Sequence, residues 1–141
     1  MIILDTNVVS EPMRRKPDAR VLAWLAAQDA GALYTTAVTE AELRTGLAIM
    51  PEGRRREALA AALEAVLGED LAGRVLPFEG GAAARAYAAI QAGRRASGSP
   101  ISMADAMIAA IARTRGASVA TRNVSDFGDT GVEVIDPWAP T

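Results

Sequence analysis

Met1-Ile2-Ile3-Leu4 is an unbroken apolar run that stops at Asp5. A strand with one face in water alternates apolar and polar residues. A continuous run instead suits a strand covered on both faces, as in the middle of a parallel sheet. Helical spacing follows at residues 18–28, through Val21, Leu22 and Leu25. It recurs from Thr39 to Met50 before Pro51, from Arg55 to Leu67 before Gly68, from Gly81 to Ser97, and from Ser102 to Arg115 before Gly116. Short strand-like runs lie at 33–35, 74–78, 118–120 and 132–135, and Pro77 places the second of these near an edge. Strands alternating with helices predict an α/β fold, a mostly parallel sheet with helices on both faces. With 141 residues, no internal repeat and no long linker, the chain reads as one domain, residues 1–141. Such sheets bind ligands where the strands end at their carboxyl edge, so the residues just past each strand matter most.

Composition narrows the chemistry. The chain has no cysteine and no histidine. Disulfides, thiol nucleophiles, zinc–thiolate sites, Ser-His-Asp triads and His-ligated zinc or iron are therefore excluded. Acid–base work falls to carboxylates, hydroxyls, Arg, Tyr or the single Lys16. A metal must be held by oxygen, which points to Mg²⁺ or Mn²⁺. No apolar run approaches the roughly 18–20 residues of a membrane span, and the opening Met-Ile-Ile-Leu-Asp is too short for a signal peptide. A cytoplasmic protein without membrane contact is expected. A net charge of −2 and a pI of about 5.2 do not advertise nucleic-acid binding. The basic residues nevertheless cluster, at Arg14-Arg15-Lys16, Arg54-Arg55-Arg56 and Arg94-Arg95. Each cluster by itself reads as a solvated helix end or loop. Trp24, Trp138, Met103 and Met107 read as core or semi-buried packing.

Four carboxylates fall at positions where ligands collect. Asp5 ends the first strand and precedes Thr6-Asn7, a place where Asp also serves as a helix cap or turn residue. Thr39-Glu40-Ala41-Glu42 fits a capping box, with Thr39 as cap and Glu42 reaching back. The helical wheel, however, aligns Glu42 with Gly46 and Ile49 beside Leu43 and Met50, on an inward face. Glu40 and Arg44 fall on another side, at pairing distance. A buried carboxylate is costly unless paired or metal-bound. Ser102-Met103-Ala104-Asp105 repeats the box-like pattern, with Asp105 at the margin of a stripe formed by Ala104, Ile108 and Ile111. Asp126 follows the 118–120 strand, and Asn123 is placed to cap a short turn with Asp126 third. Singly, each acid has a capping explanation. Jointly, a parallel sheet brings these points toward one edge. Several carboxylates cannot share a site unless protonated or neutralised. With no histidine, and the one lysine far from these motifs, a divalent cation is the economical partner. Helix N-termini favour the acids by only about 0.3–1 kcal/mol each.

These stretches resemble the motifs of a known family. Met1-Ile-Ile-Leu-Asp5-Thr6-Asn7-Val-Val-Ser10-Glu-Pro12 is similar to the opening of PIN-domain proteins, and Thr39-Glu-Ala-Glu42-Leu-Arg-Thr-Gly46 to their second motif. Ser102-Met-Ala-Asp105-Ala-Met-Ile-Ala-Ala-Ile111-Ala resembles the third motif, and Ala120-Thr121-Arg122-Asn123-Val-Ser-Asp126-Phe127 the fourth. The closing Val134-Ile-Asp-Pro137-Trp138 is similar to the FitB-like branch of VapC toxins. The resemblance spans essentially the whole chain. It implies a PIN-like fold with a mostly parallel sheet of about five strands flanked by helices on both faces. It also implies a metal-dependent endoribonuclease, the toxin of a type II toxin–antitoxin pair, using Mg²⁺ or Mn²⁺. RNA as substrate, a VapB/FitA-like antitoxin and a homodimer are the implied partners.

Carried over residue by residue, Asp5, Glu42 and Asp105 match the regular acids. Asp126 takes the fourth place in preference to the uncharged Asn123, which stands where some relatives carry the acid. Asp5 and Asp105 are the expected direct ligands, with Glu42 and Asp126 at a second ion or aligning water. Thr6, Thr121 and Arg122 are the expected substrate contacts. Phosphodiester hydrolysis needs an activated water and a clamp on developing charge, and one or two Mg²⁺ ions supply both. An aspartyl phosphotransferase or receiver domain fits less well, because the position two beyond Asp5 is Asn7. A PIN-like module that has lost activity and only binds a partner is the main alternative, and the intact set of acids weighs against it.

Overall fold

The structure, a computed structural model, describes residues 1–140. The opening apolar run becomes β1 (Ile2–Leu4), the central strand of a five-stranded sheet. The others are β2 (Leu33–Thr36), β3 (Val75–Leu76), β4 (Ser118–Ala120) and β5 (Val134–Ile135), in the order β3-β2-β1-β4-β5. Every pairing is parallel. Six helices connect them: α1 (Thr6–Ser10), α2 (Ala19–Ala27), α3 (Ala37–Ile49), α4 (Arg54–Ala65), α5 (Gly80–Ala96) and α6 (Met103–Arg115). The expected α/β architecture is present, and β3, followed by Pro77, is the edge strand.

The strand period of two sorts the core into two layers. Ile3 and Val119 point to one face and pack with Ile90 of α5 and the Ala106–Ala112 face of α6. Leu4 and Ala120 point to the other, against Val8 and Val9 of α1, Val21 of α2, and Trp138. The unbroken run Ile2–Leu4 is thus covered on both sides. Pro137-Trp138 follows β5, and Trp138 is buried as expected. Trp24 is partly buried against the same layer.

Several local expectations are corrected. The sequence hides α1, a short helix that starts directly after β1 with Asp5 as its cap. Helix α3 begins earlier than Thr39: Thr36, the last residue of β2, is the cap and accepts the Thr39 N–H at 3.1 Å. Strand passes into helix with no loop, so the Thr39–Glu42 pattern lies inside the helix and is no capping box. The predicted 55–67 helix ends at Ala65 and continues as a π-helical turn, Val66–Asp70, which buries Leu67. Met103 is 68% exposed rather than core, because it opens α6 at the carboxyl edge of the sheet, beside Val38, Phe78 and Met107. By contrast, Ser102 caps α6, Gly116 ends it in the left-handed conformation, and Arg44 pairs with Glu40, all as the pattern predicts. Among the described residues, no helix is long and apolar enough to cross a membrane.

Candidate active site

The parallel register delivers Asp5 and Thr121 side by side. Ile2, Ile3 and Leu4 stand opposite Ser118, Val119 and Ala120, and the Asp5 N–H continues the ladder to the Ala120 carbonyl at 2.9 Å. The next residues on each strand are therefore neighbours at the carboxyl edge. Asp5 Oδ1 accepts the Thr6 N–H at 2.8 Å, and Oδ2 accepts the Thr121 hydroxyl at 2.7 Å. Asp5 is only 4% exposed. One oxygen thus caps α1 while the other is tied to the end of β4. Burial pushes its carboxyl up, the Thr121 and Thr6 hydrogen bonds pull it down, and the charges of Glu42 and Asp126 push it up again.

Asp105 sits one turn into α6, its N–H donating to the Ser102 hydroxyl at 3.1 Å. Burial, then the charge of Asp5, raises its carboxyl to about 6. Ser102 opposes this, while Asp126 and Glu42 add smaller upward pushes. Three separate elements thus bring acids within range of Asp105. Asp126 lies on the 3-10 turn Val124–Phe127, held down by buried Phe127, with its own side chain exposed. The Asn123 side chain makes no capping bond there.

Glu42 differs from expectation. Its side chain is exposed rather than inward, on the wall of an open groove of about 320 Å³ shared with Leu43, Gly46, Leu47 and Met50. Ile49, on the same stripe, is 80% exposed. A helical wheel cannot tell a groove from a core, and the fully buried residue of this segment is Thr39. Glu42 still reaches the site, because the Thr6 hydroxyl donates to its Oε1 at 2.8 Å and lies 3.3 Å from the Thr39 hydroxyl.

Polar side chains tie the segments that carry the acids to one another. Thr121 bridges Asp5 to the fourth motif, its hydroxyl oxygen also accepting the Asn123 N–H at 3.0 Å. Asn7, which the sequence offers only as part of the opening triplet, accepts the Arg122 N–H on its Oδ1 at 3.1 Å. The Arg122 guanidinium lies over the Trp138 ring, 5.3 Å from its centroid. Arg94, grouped by sequence with a solvated cluster, is instead buried at 6% exposure. Its position was readable: Ala83, Tyr87, Ile90 and Arg94 recur at helical spacing along the stripe that packs on the core.

Among the described residues, no three acids lie together so that they could hold a metal ion as a group. Four like charges repel one another, and Mg²⁺ typically takes one or two carboxylates plus water and substrate phosphate rather than an all-protein cage. The donor set fits a hard cation: oxygen only, one deeply buried carboxylate, and a second whose carboxyl is raised to about 6 by burial and then by the charge of Asp5. The Thr121 bond is open to test. Thr121→Val should cost about 1.5–3 kcal/mol of stability, the range for a hydrogen bond to a charged group. It should also weaken Mn²⁺ binding, and more so as pH falls, since Asp5 without the Thr121 bond holds its proton more tightly. Thermal melts and Mn²⁺ titration check both, and wild-type values would show the bond to be idle.

A parallel α/β sheet with an all-oxygen acidic pocket at its carboxyl edge defines a class of protein whose chemistry excludes soft metals and imidazole. The PIN-domain family profile matches residues 2–131, and the chain belongs to that family. It is 49% identical over 140 residues to the VapC ribonuclease Y4jK of Sinorhizobium fredii, covering 99% of each chain. It is 42% identical over 138 residues to the toxin FitB of Neisseria gonorrhoeae, covering 98% of this chain and 99% of that one. The crystal structure of FitAcB from Neisseria gonorrhoeae superposes with a TM-score of 0.92 at 41% identity, over 99% of this chain and all of that chain.

Proposed function

We propose that this chain is a metal-dependent endoribonuclease that hydrolyses RNA phosphodiester bonds as the toxin of a toxin–antitoxin pair. The observation that carries the proposal is the mutual charge of Asp5, Glu42, Asp105 and Asp126 at one sheet edge, with Asp5 buried and Asp105 raised to about 6. Two relatives, a VapC ribonuclease and a toxin, support it. The proposal takes residues 1–141 as one PIN domain acting in the cytoplasm. Asp5 and Asp105 would hold Mg²⁺ or Mn²⁺ directly, with Glu42 and Asp126 at a second ion or aligning water. The ion, when bound, supplies Lewis acidity and lowers the pKa of its water.

The chain's own residues then do the rest. Thr121 keeps Asp5 oriented and favours its ionised form. Thr6 orients Glu42. Arg122, steadied by Trp138 and Asn7, offers its guanidinium to a phosphate beside the site. Arg122→Ala should raise KM for RNA several-fold and reduce the salt dependence of binding by about one counterion, leaving Mn²⁺ affinity unchanged. Filter binding across a salt series checks this, and an unaltered slope would remove Arg122 from the substrate path.

The partners proposed are a VapB/FitA-like antitoxin and a second copy of this chain. The apolar patch at Met103, Val38, Phe78 and Met107 is a surface a second copy would cover. The decisive test is incubation of purified protein with RNA and Mg²⁺ or Mn²⁺, with and without EDTA. Cleavage abolished by EDTA is the expected result; cleavage indifferent to EDTA, or none under any metal, would overturn the proposal.

A further inference from the structure

Arg94, in the last turn of α5, is buried, and among the described residues no carboxylate pairs with it. A buried charge without a counter-ion is costly unless its donors are filled. Here carbonyl oxygens accept from Nε and Nη1. Nε donates to the Ser99 carbonyl at 2.6 Å, and Nη1 to the carbonyls of Asp126 at 2.7 Å and Gly128 at 3.0 Å. These carbonyls belong to two separate segments. Ser99 lies on the connection that runs into the Ser102 cap and so to Asp105, while Asp126 and Gly128 bracket the turn carrying the fourth acid. Phe127 and the Thr130 hydroxyl bond to the Phe127 carbonyl, at 2.6 Å, set the depth of that turn in the core. Phe127 shares its core cluster with the Ala106–Ala112 face of α6, and Arg94 adds the polar tie from this turn to the segment that enters α6.

We propose that Arg94 is a positioning residue for the metal site, holding the Asp126 turn and the entry to α6 at a set separation so that Asp105 and Asp126 meet the same cation cluster. The inference rests on the proposed function, which makes both acids metal-facing. The planar fork of arginine is what the task requires. It reaches carbonyls on two segments from one rigid group, whereas a lysine ammonium is a single point at the end of a flexible stem.

The test is a cycle of wild type, Arg94→Lys, Asp126→Ala and the double variant, reading thermal melts, Mn²⁺ binding by electron paramagnetic resonance, and RNA cleavage kinetics. Arg94→Lys is expected to melt cooperatively, bind Mn²⁺ about tenfold or more weakly, and lose kcat with KM for RNA nearly unchanged. The double variant is expected to bind Mn²⁺ no more weakly than Asp126→Ala alone. Wild-type Mn²⁺ affinity and kcat in Arg94→Lys, with only a lower Tm, would overturn the inference. So would losses that multiply in the double variant, as they do for independent sites. Normal Mn²⁺ binding by Asp126→Ala would also overturn it, while leaving the nuclease reading intact. Absence of any Mn²⁺ binding by wild type would strike that reading itself. If Arg94→Lys does not fold, the cycle is run with Arg94→Gln, and failure of both to fold would assign Arg94 to the core alone.

Discussion

Asp5→Asn should leave a folded protein that no longer cuts RNA. Asparagine caps helices about as well as aspartate, so the bond to the Thr6 N–H survives, and its amide can still engage the Thr121 hydroxyl. What disappears is the negative charge at the most buried acid of the site. Metal-assisted stabilisation of a phosphoryl transition state is worth several kcal/mol, and each 1.4 kcal/mol is tenfold in rate, so a loss of about a thousandfold or more is expected. Cleavage of a labelled RNA by variant and wild type at matched, folded concentrations measures it. Retention of even a tenth of the activity would exclude Asp5 as a ligand. A wild type that captures an antitoxin yet never cuts RNA would instead favour the inactive binding module.

Asp105→Asn should make the metal-free protein more stable, not less. In the wild type, burial and the nearby charge of Asp5 push the Asp105 carboxyl up to about 6, above the ordinary 3.8 of an aspartate. Between those values the folded state holds the proton more tightly than the unfolded state, so stability falls as pH rises through that window and stays reduced above it. Removing the ionisable group removes the loss. The backbone N–H that caps on Ser102 is unaffected. At pH 7.5 without metal, the variant should melt a few degrees higher than wild type, with roughly 2–4 °C expected per kcal/mol for a chain of this size. The gap should close near pH 4. Added Mn²⁺ should reverse the order, raising the wild-type Tm by mass action while barely moving the variant. Scanning calorimetry over pH, with and without Mn²⁺, decides it. A metal-free variant less stable at pH 7.5 would mean that Asp105 serves the helix rather than a strained pocket.

Much of the fold could be read from short-range pattern. The run Met1–Leu4 foretold a central parallel strand, and Pro77 foretold the edge, because burial on two faces and a missing N–H leave direct marks on residue choice. The helix starts were less legible. Thr36 and Thr39 both suit a cap, and only the end of β2 decides between them. At the acids, the sequence indicated which residues converge but not how each is held. Nothing local states that Asp5 splits its two oxygens between Thr6 and Thr121, since that depends on the β1–β4 register. The wheel put Glu42 inward because Gly46 and Ile49 share its side, yet that side faces an open groove. Arg94 was lost by counting charge in sequence rather than position on the helix.

The bond between Thr121 and Asp5 joins residues 116 positions apart. A ribosome working at about 5–20 residues per second delivers Asp5 first and its partner on the order of ten seconds later. Any piece of the chain that stops before Thr121 lacks one end of this bond. An aborted nascent chain, or a fragment nicked between α1 and β4, therefore carries the first acid without the group that orients it. For a protein proposed to cut RNA, the bond that orients the first acid cannot form until Thr121 has been added.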